Sequence, residues 1–207
     1  MSVLPKQEAH SAPDPAPLID QLSEREREEY ELRLDSYEVK LAEYRARLEE
    51  VAGQLDAAHH DGLTGAWLRG AGRQLLEQEL SRALRAGSPL SIAFVDVDGL
   101  KALNDRAGHA AGDHALITVA RSLLVGLRGY DHVVRWGGDE FLCVLPGLTA
   151  CEAGLRLAEA QRFVAAATSG VTISVGVVEC HAGDGADALV ARADRALYVS
   201  RGRAPQT

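Results

Sequence analysis

From Asp61 onward the sequence predicts an α+β or α/β sandwich, with helices packed on a sheet. Short apolar runs such as "LSIAFVDVD" and "VTISVGVVE" alternate with longer stretches of helical period. Before them runs a regular heptad seam, the mark of a long separate helix. With 46% hydrophobic residues among 207, the chain can bury one core of ordinary size and carry an appendage.

In chain order, residues 1–17, "MSVLPKQEAHSAPDPAP", are proline-rich and poor in large apolar side chains, so a disordered tail is expected. Residues 18–60 form the appendage. Leucine recurs at Leu34, Leu41, Leu48 and Leu55. Between these fall Tyr30, Tyr37, Tyr44, Val51 and Ala58, giving the alternating four–three spacing of a coiled coil. In a parallel pair, Arg33 and Glu38 attract across the seam while Lys40 and Arg45 repel. A single amphipathic helix lying on its own domain is the alternative. Tyr30 to Ala58 would span about 43 Å, however, too long for a small domain. A dimerising coiled coil is the reading.

Residues 61–207 form the globular domain. "AWLRGAGRQLLEQELSRALRAG" reads as a helix and "LSIAFVDVD" as a strand. A short helix at "LKALND" and a longer one at "HALITVARSLLVGLRG" follow. A hairpin centred on "RWGGDEFLCVLPG" comes next, then a helix at "CEAGLRLAEAQRFVAAA". "VTISVGVVE" reads as a strand and "ADALVARADRALYVSR" as the last helix.

Several function classes are disfavoured. The net charge of −8 argues against extended nucleic-acid binding, which needs clustered Lys and Arg. No apolar run approaches the roughly 18 residues of a membrane span, and the N-terminus lacks a signal-peptide pattern. The three cysteines form no C-x-x-C pair. Cys143 falls in an apolar strand as a reduced, buried thiol, and a reducing cytoplasm is expected.

The candidate chemistry lies in acids that interrupt apolar strands. Asp96 ends the strand Ile92–Val95, and Asp98 either shares its face by strand alternation or caps the next helix. Gly99, Leu100 and Lys101 open that helix, where exposed N–H groups beside a lysine suit a phosphate. Asp139 and Glu140 sit at the hairpin tip. If the hairpin pairs beside the Asp96 strand, these carboxylates converge and require a cation between them. Mg²⁺ suits one or two carboxylates plus water and phosphate oxygens, with Mn²⁺ an alternative. Gly137 and Gly138 are expected to supply positive φ in a tight turn and close backbone approach to a ligand.

"RWGGDEF" taken with "DVDGLKALNDRAGHAAGD" resembles the GGDEF domain of diguanylate cyclases. The resemblance starts at "DGLTG", passes through "VTISVG" and reaches "ADRALY". It implies a central, mainly antiparallel sheet flanked by helices, as in nucleotide cyclases and polymerase palms, preceded here by the coiled-coil helix. It also implies condensation of two GTP into cyclic di-GMP with release of two pyrophosphates. By the same resemblance, Asp96, Asp139 and the Val97 carbonyl hold the metal. Asp139 acts as catalytic acid or base, and Glu140 is a second acid at the site. Asn104 and Asp113 read guanine, and a carboxylate and an amide suit that edge. His109 is either a substrate residue or a capping or packing one. Gly99, Leu100, Lys101 and Gly137 surround the phosphates. Arg128 and Asp131 resemble an R-x-x-D inhibitory site for the product.

One domain holds one GTP, so two must face each other, and the coiled coil supplies the partner as a homodimer. Input would arrive through the N-terminal helix, with a protein partner at residues 1–30 as one source. A catalytically inactive receptor for GTP or cyclic di-GMP is the alternative function. Three positions depart from the family pattern. Leu100 stands where an aromatic is usual, and Leu68–Arg69 where an Asn-Arg pair is usual. The tail reads "SRGRAPQT" in place of A-K-x-x-G-R-N, so Arg201 replaces a phosphate-binding lysine and Arg203 is the candidate for the later arginine.

Overall fold

The structure, a computed structural model, describes residues 23–202 except 169, without the side chains of 52 and 55–57. The expected tail at 1–17, Arg203 and the side chain of Leu55 lie outside the described residues. The chain divides into two units, Met1–Gly53 and Gln54–Thr207.

In the first unit, helix α1 begins at Glu24 and runs on to His59. Ser23 precedes it, with hydroxyl and N–H both donating to the Glu26 carboxylate, so the N–H at the head of the helix is met by a side chain. The heptad side chains Tyr30, Leu34, Tyr37, Leu41, Tyr44, Leu48 and Val51 are all exposed. Two further apolar residues off the seam, Leu32 and Val39, are exposed as well.

In the second unit the elements are β1 (Trp67–Leu68), α2 (Arg69–Ala86), β2 (Leu90–Asp98), α3 (Leu100–Ala107) and α4 (His109–Gly126). Then come β3 (His132–Arg135), β4 (Glu140–Pro146), α5 (Ala150–Ala167), β5 (Thr172–Glu179) and α6 (Ala186–Ser200). The sheet order is β1-β3-β4-β2-β5. Every neighbouring pair is antiparallel except β1 with β3. Two differences from the expected elements stand out. Trp67 and Leu68 form a strand that pairs with Val134 and Arg135, so α2 starts only at Arg69. Helix α4 starts at His109, five residues before the predicted run, because Gly108 ends α3 and serves as N-cap of α4.

The central strands are apolar on both faces because both are covered. Ala93, Val95 and Val97 of β2 and Phe141, Cys143 and Leu145 of β4 pack with α4 and α5. Ile92, Phe94, Leu142 and Val144 face the other way, against α2 and α6. This alternation positions the site, since Asp96 and Asp98 continue the parity of Ile92 and Phe94 toward the α6 side. Helix α6 lies close to the sheet at Gly176, where a Cβ would run into the helix backbone at Ala193 and Leu197. Burial pushes the Cys143 thiol up to about 12, with Asp131 adding to it, so this thiol is inert at neutral pH. Among the described residues no helix is long and apolar enough to cross a membrane.

Candidate active site

The site forms where β2 and β4 end together. Asp96 pairs with Glu140 on one side and Ser174 on the other. Beyond the last ladder pair, the Val97 N–H donates to the Asp139 carbonyl at 3.0 Å. Two acids 43 positions apart in sequence are therefore joined at the backbone. Asp96, Val97, Gly99, Leu100, Lys101, Asp139 and Arg201 line one cleft of about 640 Å³, together with Asp98, Ala102, Asp105 and Ser174.

Burial holds the Asp96 carboxyl above its usual range. Arg201 pulls the other way, and Asp139 and Asp98 add to the rise. Glu140 is raised as well, first by burial and then by Asp96 and Asp139. Carboxylates that raise one another's pKa form a site that gains from a cation. Among the described residues no three His, Cys, Asp or Glu side chains close into a metal cage. Asp96 and Asp139, two carboxylates lining one open cleft, are a donor set that suits Mg²⁺, which keeps several waters and takes phosphate oxygens beside one or two carboxylates.

The turn that opens α3 is built at Gly99, whose φ of 80° lies in the left-handed region. A Cβ there would also sit 2.9 Å from the Gly170 carbonyl. Glycine is thus required on two counts. The first turn of α3, from Leu100 to Ala102, carries N–H groups without helical partners. Asp98 does not cap α3. Its carboxylate instead accepts from Ser174 Oγ at 2.7 Å, from Thr172 Oγ1 at 3.4 Å and from Arg201 at 2.9 Å.

The hairpin glycines differ from the expectation. Neither Gly137 nor Gly138 has a positive φ, because the Arg135–Phe141 connection is wide enough to avoid it. Gly137 supplies room: a Cβ would collide with the Glu140 carboxylate, whereas beside Gly138 the space is open. The loop is held by its backbone, with the Trp136 and Gly137 N–H groups donating to the Glu140 carbonyl at 2.8 and 3.2 Å. Arg135 adds a clamp that sequence reasoning missed. It donates to the Gly138 carbonyl at 2.9 Å and to Asp61 Oδ1 at 2.7 Å. Asp61 also accepts from the Thr64 N–H and hydroxyl at 3.0 and 2.6 Å. "DGLTG" is thus a turn that anchors the hairpin loop. By alternation Arg135 shares the face of Val133, on the α4–α5 side, and an arginine there at the end of a strand was the signal for a buried partner.

Burial works to raise the Asp61 carboxyl, but the Thr64 and Arg135 bonds outweigh it and the net displacement is downward. A folded-state pKa below the unfolded one gives stability that is full above about pH 4 and lost as pH falls through the folded value. Asp61→Asn is expected to lower stability by about 2 kcal/mol at pH 7. In chemical denaturation the gap from the wild type should close in acid. A gap that stays constant with pH would contradict this account of the clamp.

Asn104 of α3, expected from the resemblance to read guanine, is half-buried and its Oδ1 has no partner. Gly112 of α4 makes this possible, because a Cβ there would overlap the Asn104 amide. Asp113, the next residue, is exposed. His109 is exposed at the start of α4, neither packed in the core nor capping, since Gly108 is the N-cap. Gly112→Ala should displace Asn104 and leave the fold intact. The preference for guanine over adenine nucleotides is then expected to fall about tenfold or more, read by competition binding. Unchanged selectivity would separate Asn104 from base reading.

Arg128 and Asp131 lie in one turn, away from the residues that line the cleft. Asp131 is buried, with one oxygen accepting from the Arg128 N–H at 2.8 Å and the other without a partner. Arg128 donates to the Tyr130 hydroxyl at 2.5 Å and lies over the Tyr130 ring. The acid therefore builds the turn while the arginine and tyrosine face outward.

Comparison with known proteins agrees with this geometry. Residues 58–204 match the family described as diguanylate cyclase, GGDEF domain. Diguanylate cyclase DgcP of Pseudomonas aeruginosa is 38% identical over 72% of this chain and 23% of its own length. Diguanylate cyclase DgcM of Escherichia coli is 39% identical over 70% of this chain and 36% of its own. The chain thus spans about a quarter to a third of the length of these curated relatives. Among solved structures, the coiled coil and GGDEF domain of DgcB from Caulobacter crescentus, in complex with c-di-GMP, is similar at TM-score 0.72 and 28% identity. That likeness covers 84% of this chain and 96% of DgcB. Diguanylate cyclase SiaD of Pseudomonas aeruginosa, in complex with its activator SiaC, is similar at TM-score 0.68 and 33% identity, over 90% of this chain and 75% of SiaD. A sheet that brings Asp96 to the "GGDEF" hairpin, matched along most of the domain, leads to one conclusion: the chain belongs to the GGDEF-domain family of diguanylate cyclases.

Proposed function

We propose that the protein is a diguanylate cyclase that condenses two GTP into cyclic di-GMP and two pyrophosphates, acting as a homodimer. The observation that carries this reading is the single cleft lined by Asp96, Asp139 and the Gly99–Lys101 turn. Asp96, Asp139 and the Val97 carbonyl would hold Mg²⁺ or Mn²⁺. An ion held there would supply Lewis-acid polarisation of the α-phosphate and a lower pKa for the attacking 3′-hydroxyl. Asp139 accepts the proton of that hydroxyl, and Glu140 keeps the local field negative beside it. The α3 first turn, Lys101 and Arg201 take the triphosphate, Gly137 leaves room for it, and Asn104 with Asp113 selects guanine. His109, exposed at the start of α4, is available to the nucleotide.

Each domain aligns one GTP, so the reaction needs a second domain facing it. Residues 18–60 supply it as a dimerising coiled coil, supported by the exposed Leu/Tyr seam of α1 and by the similarity to the coiled coil of DgcB. The N-terminal segment also receives a protein partner, a reading that the similarity to SiaD with its activator supports. Incubation of the protein with GTP and Mg²⁺, followed by nucleotide chromatography, tests the activity. Cyclic di-GMP and pyrophosphate in a 1:2 ratio is the expected result. Tight nucleotide binding with no product would favour a receptor instead.

Arg128 is the ligand for feedback by the product, presented by the Asp131 turn and offering its fork to phosphate or a guanine edge. Arg128→Ala is expected to leave the initial rate unchanged and to weaken inhibition by added cyclic di-GMP at least tenfold. Equal inhibition of wild type and variant would remove Arg128 from this role.

A further inference from the structure

Arg201 does not point at an open phosphate site. Its Nη2 donates to Asp96 Oδ1 and, at 2.9 Å, to Asp98 Oδ1. Asp98 is fixed as an acceptor for it by Ser174 and Thr172. The acceptor on Asp96 is one of the two carboxylate oxygens that a divalent ion would need. From these contacts we propose that Arg201 is an internal counter-ion that occupies the cation position, so that metal and triphosphate enter together rather than in turn. This inference rests on reading the cleft as a nucleotide site.

Three observations support it. First, the arginine is poorly satisfied where it rests. Its Nε is buried without a partner, and an unpaired buried donor costs free energy that a better acceptor would recover. A triphosphate offers that acceptor, since two guanidinium N–H groups can bond phosphate oxygens side by side. Second, the backbone beneath the side chain is tied down. Arg201 caps α6 with its N–H on the Leu197 carbonyl at 3.2 Å, and Gly202 turns the chain away at a φ of 66°. The buried Leu189, Ala193 and Leu197 hold α6 against the sheet. Exchange between carboxylate and phosphate therefore needs only side-chain rotation. Third, a divalent ion arriving alone must break the guanidinium's bond to Asp96 and leave it with Asp98 alone. Arriving with a triphosphate, it brings a replacement acceptor. The two ligands are thus coupled, and the coupling is reciprocal.

The experiment measures Mn²⁺ binding by electron paramagnetic resonance, on the full chain, with and without a non-hydrolysable GTP analogue. Wild-type protein should bind Mn²⁺ weakly alone and at least tenfold more tightly with the analogue. Arg201→Ala should bind Mn²⁺ alone about tenfold more tightly than wild type, with most of the gain from the analogue lost. Arg201→Gln, nearly isosteric and neutral, should behave in the same way and serves if the alanine variant is poorly folded. Metal affinity without nucleotide that is unchanged or weaker in both variants would overturn the inference. So would equal wild-type affinity with and without the analogue. Asp96→Asn separates this from failure of the site reading. If it abolishes Mn²⁺ binding with the analogue, the cleft stands whatever Arg201 does; if binding survives, the cleft reading itself fails.

Discussion

Replacing Asp139 with alanine is expected to reduce the rate of cyclic di-GMP formation by about 1000-fold or more, roughly 4 kcal/mol of barrier. The residue carries two duties in the proposed reaction, cation ligand and proton acceptor, and no neighbour can assume both. Glu140 stands next to it but is held in the ladder, directly opposite Asp96. The backbone contact that positions residue 139, from the Val97 N–H to its carbonyl, is untouched by the substitution. The fold should therefore survive. Stability should rise slightly, because one of the charges that raise the Asp96 and Glu140 carboxyls is gone. Initial rates by chromatography and a thermal melt without metal check both halves. A loss below tenfold, or a protein that no longer folds, would count against the assigned role.

Leu41→Lys combined with Leu48→Lys is expected to give monomers and to cut activity about 100- to 1000-fold at dilute protein. Linked domains meet at an effective concentration set by the linker, whereas separated ones must find each other in solution. Both leucines are well exposed on α1, at 55% and 69%. Their replacement therefore costs the single chain little, and the effect falls on association. Activity should recover as protein concentration rises. Sedimentation at the wild-type rate, or an activity loss independent of concentration, would contradict the dimer reading.

Much of the fold was legible because its signals are local. The strand "LSIAFVDVD" is β2 to the residue, since a strand covered on both faces reads as a continuous apolar run. Helix α5, read from Cys151, starts one residue earlier at Ala150, opened by the capping box of Thr149 and Glu152. What escaped were features set by tertiary contact. Trp67–Leu68 became a strand because β3 offers it a parallel edge, which no local preference announces. The role of the hairpin glycines was misread for the same reason. A turn type was inferred from composition, but the length of the connection decided the backbone angles, and a side chain, Glu140, decided the need for space. Arg135 and Gly112 lie within or beside quoted motifs. Their partners, Asp61 and Asn104, are fixed only once β3 and α3 take their places. Arg201 was expected at the phosphates, and its pairing with Asp96 depends on how closely α6 approaches Gly176.

The central claim is that Asp96 and Asp139 share a divalent ion that grips the triphosphate of GTP. Crystals grown with Mn²⁺ and a non-hydrolysable GTP analogue test it most directly, through the anomalous signal of the metal. The account predicts a peak within ligand distance of both carboxylates and of a phosphate oxygen, with the guanine beside Asn104 and Asp113. A metal peak away from Asp96 and Asp139, or a nucleotide bound outside their cleft, would contradict it.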